Sequence, residues 1–209
     1  VCKEIAENLE KFELGIACSK AISFVWDYFC DWYIELAKAR LQSEGEDAQN
    51  VRRVLVWVLE RSLRMLHPFI PFITEEIWQT LPHTGETIMT AEYPLFDEKY
   101  CYSEAKEEME LVMDAIRAIR NRRSEMNVPP SKKAKVYIAT EKQTPFANGK
   151  TFIMKLAFAS DVEIAAEFDL PSAVNAVTAD AKIYIPMDEL VDKKAELDRL
   201  NKELSATEK

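Results

Sequence analysis

Hydrophobic residues recur at helical spacing through most of the first 126 residues. Between Leu14 and Arg40 they stand three or four positions apart, which predicts one long helix that buries a stripe. The stripe consists of Leu14, Cys18, Ala21, Ile22, Val25, Phe29, Trp32 and Leu36, and Trp26, Cys30 and Tyr33 widen it. The same spacing predicts helices over 48–66, 71–81 and 103–126, with an extended loop over 82–99. Helices of these lengths with such connections indicate an antiparallel, up-down bundle.

The pattern changes at the Pro129-Pro130 pair. Short β-like runs predict strands over 134–140, 162–166, 173–177 and 182–185, with a helix from Thr144 to about Phe158 after the first strand. From Asp188 the helical spacing returns, and Leu190, Leu197 and Leu204 stand seven positions apart, as at the start of a coiled coil.

The predicted fold class is therefore mainly α. We expect an antiparallel helix bundle over 1–130, a small α/β unit over 131–187, and the start of a coiled-coil helix over 188–209. The chain opens in helix-like sequence, which suggests a fragment of a longer protein, and the coiled-coil spacing ends before the usual three or four heptads.

Composition narrows the functional classes. The chain has 209 residues, a net charge of −9, and no apolar run long enough to span a membrane. Its four cysteines are scattered without a C-x-x-C pair, which is typical of reduced thiols in a cytoplasmic protein and not of a metal site. The sequence contains no glycine-rich phosphate loop, zinc-protease motif or nucleophile elbow. We predict no catalytic residue, no metal and no cofactor in this chain.

One segment has a strong local charge. Residues 117–135 hold seven basic side chains and one acidic one, Glu125, within an acidic protein. Arg117, Arg120 and Asn121 fall within one helical turn, and Lys132 and Lys133 follow the stiff proline pair. Lysine and arginine at fixed spacing suit phosphates, and an asparagine amide suits the edge of an unpaired base. The candidate RNA-binding residues are Arg117, Arg120, Asn121, Arg123, Lys132 and Lys133.

Charge alone does not decide between RNA binding and a solvated basic face, because charge runs on helices are common. The cluster of aromatic residues between Phe24 and Tyr33 has the density of a base-stacking surface, but aromatics at helical spacing usually pack in a core. We interpret those aromatics, and the proline-rich corner at 67–72, as structural.

Longer motifs carry a family resemblance. Residues 66–78 (LHPFIPFITEEIW) resemble an element that the anticodon-binding domains of class I synthetases for valine, isoleucine and leucine share. Residues 29–35 (FCDWYIE) and 119–133 (IRNRRSEMNVPPSKK) are similar to the valyl enzymes in particular. The order of bundle, α/β junction and coiled-coil arm also resembles that family. The family resemblance that residues 66–78 carry implies that the first part of the bundle lies upstream of Val1 and that the arm continues beyond Lys209.

The resemblance implies a function. A chain of this family would bind valine tRNA, tRNA(Val), beside its anticodon stem-loop, as a cytoplasmic monomer with no membrane or DNA partner. The parent enzyme would ligate valine to tRNA with ATP and Mg²⁺, whereas this chain, without catalytic and editing domains, would be inactive alone.

Two alternatives stay open. The first is a helical protein-interaction scaffold without an RNA role. The second is the same domain of an isoleucyl or leucyl enzyme. Clustered cysteines, which isoleucyl enzymes commonly carry in this region, do not occur here.

Overall fold

A computed structural model describes residues 1–42 and 44–187, so the predicted coiled-coil start lies outside the described residues. The chain divides into two compact units, one from Val1 to Cys101 and the other from Tyr102 onward. The described fold is mainly helical with one four-stranded sheet, which confirms a mainly α chain with a small α/β part. The compact units divide near 101, whereas the sequence placed the end of the helical domain at 130.

The first unit consists of helices and two short 3₁₀ turns. Its helices are α1 (Cys2–Glu10), α2 (Leu14–Ser23), a π-helix (Phe24–Ile34), α3 (Glu35–Leu41), α4 (Glu46–Leu66) and α5 (Pro71–Trp78). The 3₁₀ turns, Ile88–Thr90 and Glu98–Tyr100, lie in the segment that was predicted as a loop. One part of the core joins Ile5, Ala17 and Ala21 to the end of α4, at Met65 and Leu66.

The predicted long helix is continuous from Leu14 to Leu41, but its central part is a π-helix. In a π-helix each N–H bonds five residues back, so equivalent positions lie farther apart than in an α-helix. Within the π-helix the buried residues are Phe29 and Trp32, and Ala17, Ala21 and Ala37 are buried in the α-helical parts on either side.

Several apolar and aromatic side chains of this continuous helix are exposed. Leu14 and Ile22 lie on the surface, and Trp26 is 67% exposed and Tyr28 51% exposed. The interpretation of the whole aromatic cluster as core was wrong for these two aromatic residues. It holds for Phe29 and Trp32, which are buried.

The proline-rich corner between α4 and α5 satisfies its own polar groups. Thr74, 1% exposed, donates its hydroxyl hydrogen to the carbonyl of Ile70 (2.9 Å), and His67 Nδ1 lies 2.8 Å from the same hydroxyl oxygen. Trp78 Nε1 donates to Glu60 (3.0 Å), which also binds Arg64 (2.8 Å). The corner is a packed structural element.

The second unit sets one long helix beside a mixed sheet. It contains α6 (Ser103–Glu125), β1 (Ala134–Ala139), α7 (Gln143–Asn148), α8 (Lys150–Leu156), β2 (Ala159–Ala165), β3 (Ala173–Val177) and β4 (Lys182–Pro186). The strand order is β2-β1-β4-β3, with β1 parallel to β2 and β4 antiparallel to both of its neighbours. Helix α6 contacts α7, α8 and β3. The apolar residues Val112, Met113, Ile116 and Ile119 of α6 are buried.

Gly149 divides the single helix predicted from Thr144 to Phe158 into α7 and α8. A Cβ atom at this position would lie 2.5 Å from Cγ2 of Val112 on α6. The glycine therefore permits the close approach of α6 to the α7–α8 junction.

Candidate nucleic-acid interface

The candidate interface is built at the C-terminal end of α6 and in the segment that follows. We call residues 126–133 the basic turn. The N–H of Val128 bonds the carbonyl of Arg123 (2.9 Å), and the N–H of Asn127 bonds the carbonyl of Ser124 (3.0 Å). Asn127 adopts φ 54°. This pattern is a Schellman motif, in which asparagine tolerates the left-handed conformation better than most residues.

The chain then turns immediately into the sheet. After Pro129-Pro130, the N–H of Lys132 bonds the carbonyl of Pro129 (3.1 Å), and β1 begins at Ala134. The basic turn is therefore short and internally hydrogen-bonded, and it lies between the long helix and a central strand.

Four polar residues form an exposed row on α6. Arg117, Arg120, Asn121 and Ser124 follow one another at steps of three, one and three residues, and all four are exposed. The predicted common face of Arg117, Arg120 and Asn121 is thus present in the structure.

Arg123 lies outside this exposed row and is buried. It is 4% exposed, and its guanidinium donates to the backbone carbonyls of Pro129 (3.2 Å) and Lys132. The carbon of that guanidinium lies 5.9 Å from the ring centroid of Phe158. Burial lowers the pKa of Arg123 from its ordinary value. Arg123 therefore holds the basic turn from inside, and the RNA contact predicted for it stays a prediction.

Arg120 has a second function in the fold. Its Nε donates to the carbonyl of Leu156, the last residue of α8, at 2.6 Å. Arginine carries five N–H donors, so one bond to a backbone carbonyl leaves both the charge and the other donors for a ligand.

Ion pairs take up part of the basic charge. Arg117 pairs with Asp114 (2.8 Å), Arg122 pairs with Glu125 (2.9 Å), and Lys135 pairs with Glu163. The hydrogen bond to Glu163 raises the pKa of Lys135. Among the residues that the structure describes, Arg120, Lys132 and Lys133 have no acidic partner within ion-pair distance. These three cations carry the uncompensated charge of the interface.

The role of Arg123 had a signal in the sequence. It follows Ile116 by seven positions and Ile119 by four, so it falls on the apolar stripe of α6. A charged residue on a buried stripe must find hydrogen-bond acceptors, and the adjacent turn supplies them. The charge of Arg123 suggested RNA binding, whereas its position on the apolar stripe indicated burial.

Neither a metal centre nor a membrane span is present in the described part of the chain. Within residues 1–42 and 44–187, no three His, Cys, Asp or Glu side chains are grouped to hold a metal ion. No helix in those ranges is both long and apolar enough to cross a membrane.

The sequence matches a known family. Residues 1–138 match the anticodon-binding domain of tRNA ligases, and the chain belongs to that family. The match includes α6, the basic turn and most of β1.

Similar curated proteins are valine–tRNA ligases, which confirms the resemblance to the valyl enzymes. The chain is 48% identical to that of Clostridium tetani over 205 residues, 96% of this chain and 23% of the relative. It is 44% identical to the enzyme of Clostridium perfringens, covering 99% of this chain and 24% of the relative. The enzyme of Carboxydothermus hydrogenoformans is 41% identical, over 98% of this chain and 24% of the relative. The chain thus spans about a quarter of the length of these relatives.

Proposed function

We propose that this chain binds the anticodon region of valine tRNA and positions that RNA for a ligation that another part of a larger protein performs. The family match through residue 138 is the observation that carries the proposal, because it includes the whole basic turn. The geometry supports it, since the turn projects cations from a hydrogen-bonded frame.

Some of the exposed residues would bind RNA through their charge and others through hydrogen bonds. Lys132 and Lys133 supply point charges to phosphates, and Arg120 supplies a planar guanidinium that can also stack on a base. Asn121, exposed beside Arg120, offers both a donor and an acceptor to a base edge. Arg117 joins them after exchanging its exposed partner Asp114 for a phosphate, which costs little because exposed ion pairs are weak.

The remaining features of the proposal concern the larger protein. We infer that it ligates valine to tRNA with ATP and Mg²⁺, and that this chain supplies RNA binding and no catalytic residue. We also propose that the helices of the first unit belong to an antiparallel bundle and that 188–209 begin a coiled-coil arm. The protein would act in the cytoplasm as a monomer, on tRNA and not on DNA.

A binding experiment with exchanged anticodons tests the proposal. The affinity of the chain for valine tRNA and for isoleucine tRNA is measured by fluorescence anisotropy, together with two tRNAs whose anticodons have been exchanged. We expect the tighter binding to follow the valine anticodon. Equal affinity for all four RNAs would contradict anticodon recognition, and no salt-dependent binding to any of them would favour a protein-interaction scaffold.

A further inference from the structure

The four-stranded sheet has two unlike faces. Its buried side chains alternate along the strands and include Val136, Ile138, Val162, Ile183 and Ile185. The cross-strand register places Ile138 opposite both Ile164 and Ile183. Helices α6, α7 and α8 contact β3 and β2, so these apolar residues form the covered face.

Two tyrosines lie on the opposite face, at the centre of the sheet. Tyr137 of β1 and Tyr184 of β4 are directly paired across the two central strands, and both are partly exposed. Side chains at paired positions start about 5 Å apart and project to the same side. Phe168 contacts Tyr137 edge-on, with ring centroids 5.2 Å apart, and thereby restricts the orientation of that ring.

Polar and basic residues surround the tyrosine pair. Lys135 lies 5.2 Å from the ring centroid of Tyr137, and Asn175 stands opposite Tyr184 on β3. Lys182, on the next position of the same face of β4, is exposed. The carboxylate on this row, Glu163, is already paired with Lys135.

This face continues directly from the basic turn. Lys133, Lys135 and Tyr137 are spaced by two residues and exposed or partly exposed, whereas Ala134 and Val136 between them are buried. Because side chains alternate along a strand, Lys135 and Tyr137 point to the same side of β1, and Lys133 directly precedes that strand. A nucleic-acid strand that binds Lys133 therefore has a path onto the tyrosine pair.

We propose that the open face of this sheet, centred on Tyr137 and Tyr184, stacks unpaired nucleotides of the tRNA whose phosphates bind the basic turn. This inference rests on the proposed function. Sheets of four strands with aromatic residues on the central strands stack bases in RNA-binding domains, and tyrosine stacks on any base because every base has a π-face. Lys133 and Lys182, both exposed, provide the charge that a phosphate backbone needs, and Lys135 is paired with Glu163.

Substitutions at Tyr184 separate stacking from charge. Tyr184→Val removes the ring and keeps a residue that favours strands, whereas Tyr184→Phe keeps the ring. We expect the valine variant to bind tRNA roughly 5- to 100-fold more weakly and the phenylalanine variant to bind almost as wild type. The slope of log affinity against log salt should be the same in all three proteins, because no phosphate contact is lost.

A matched control comes from outside the sheet. Val54→Thr changes an exposed residue (44%) on helix α4 and should leave the tRNA affinity unaltered. Thermal unfolding by circular dichroism establishes that each variant is folded, and Tyr137→Val gives an independent repeat on the other central strand.

Two different failures can be told apart. If wild-type protein binds tRNA and Lys132→Gln weakens that binding, but both valine variants bind like wild type, the stacking face is wrong and the proposed function stands. If the wild-type protein binds no tRNA, both the stacking face and the proposed function are wrong. A change in sedimentation of the valine variants with unchanged RNA affinity would assign the face to protein contacts and overturn the inference.

Discussion

Residues 66–78 contain the proline-rich corner and helix α5, and we use the name corner for this whole segment. The corner and the basic turn at 126–133 both contain prolines and follow a long helix, but their polar groups differ in burial. In the corner, Thr74 and Trp78 are buried, and their polar groups form hydrogen bonds within the same unit. The basic turn satisfies its carbonyls with the single buried Arg123 and leaves Lys132 partly exposed and Lys133 exposed.

Both segments carry the family resemblance, so resemblance alone does not distinguish a folding element from a binding element. Burial and hydrogen bonding distinguish the two kinds of element. Residues of the corner whose polar groups are satisfied inside the unit specify the fold. Cations of the basic turn whose charge is left uncompensated on a fixed frame can bind a ligand.

The largest effect is expected at the corner. Trp78→Ala should lower the free energy of unfolding by about 3–5 kcal/mol, because it removes a side chain that is 1% exposed and the donor to Glu60. The four tryptophans all lie in the first unit, so their fluorescence in a urea titration reports that unit. Trp26→Ala is the control, since an exposed residue should change stability by no more than about 0.5 kcal/mol. Similar losses in both variants would contradict the packed corner.

A smaller stability effect is expected inside the basic turn. Arg123→Gln should cost about 1.5–3 kcal/mol, because the carbonyls of Pro129 and Lys132 lose a charged donor. The neighbouring Arg122→Gln, which breaks an exposed ion pair, should cost less than about 1 kcal/mol. Denaturation followed by circular dichroism measures both. Only Arg123→Gln should also weaken tRNA binding through a loosened turn, and equal stability of the two variants would refute the positioning role.

The outer surface of the turn should affect binding without affecting stability. Lys132→Gln and Lys133→Gln should each flatten the slope of log affinity against log salt by roughly 0.7–0.9 for valine tRNA. Their unfolding free energies should stay within about 0.5 kcal/mol of wild type. Lys38→Gln, an exposed lysine on α3, is the control and should leave the slope unaltered. An unchanged slope in both basic-turn variants would show that these lysines do not contact phosphate.

The smallest expected effect is on the pH dependence of stability, at Glu75 in the corner. Hydrogen bonds from Gln79, Thr87 and Ile88 hold the pKa of Glu75 below its usual range. A carboxylate with a lowered folded-state pKa stabilises the fold above its unfolded pKa of about 4.3, and that contribution is lost as pH falls through the lower value. Glu75→Gln should therefore flatten the pH dependence of first-unit stability below about pH 4.3. An identical acid profile in the variant would contradict this assignment.

Local patterns predicted the helices and strands well where one side of an element is buried. The ends of α4 and α6 lie within two residues of the predicted positions, since charged residues and prolines bound their apolar stripes. The π-helix was missed because its hydrogen-bond register is not encoded in a simple three-and-four spacing. Trp26 and Tyr28 therefore emerged on the surface.

Long-range packing accounts for the other differences. Gly149 divides a predicted helix because Val112, far away in sequence, leaves no room for a Cβ atom. The basic segment was found from charge alone, but which of its cations stay uncompensated depends on Asp114, Glu125 and Glu163 in the folded chain. The pairing of Tyr137 with Tyr184 required the strand order, which periodicity cannot supply.

The Schellman motif at Asn127 has a consequence for binding kinetics. Together with Arg123 and the proline pair, it gives the basic turn its shape before any RNA arrives, so little conformational entropy is lost on complex formation. We therefore expect encounter rates to be set by electrostatic steering at low salt, and residence time to respond to the contacts made afterwards. A substitution such as Asn127→Val, which disfavours the left-handed conformation, would make ordering of the turn part of the association step and slow it.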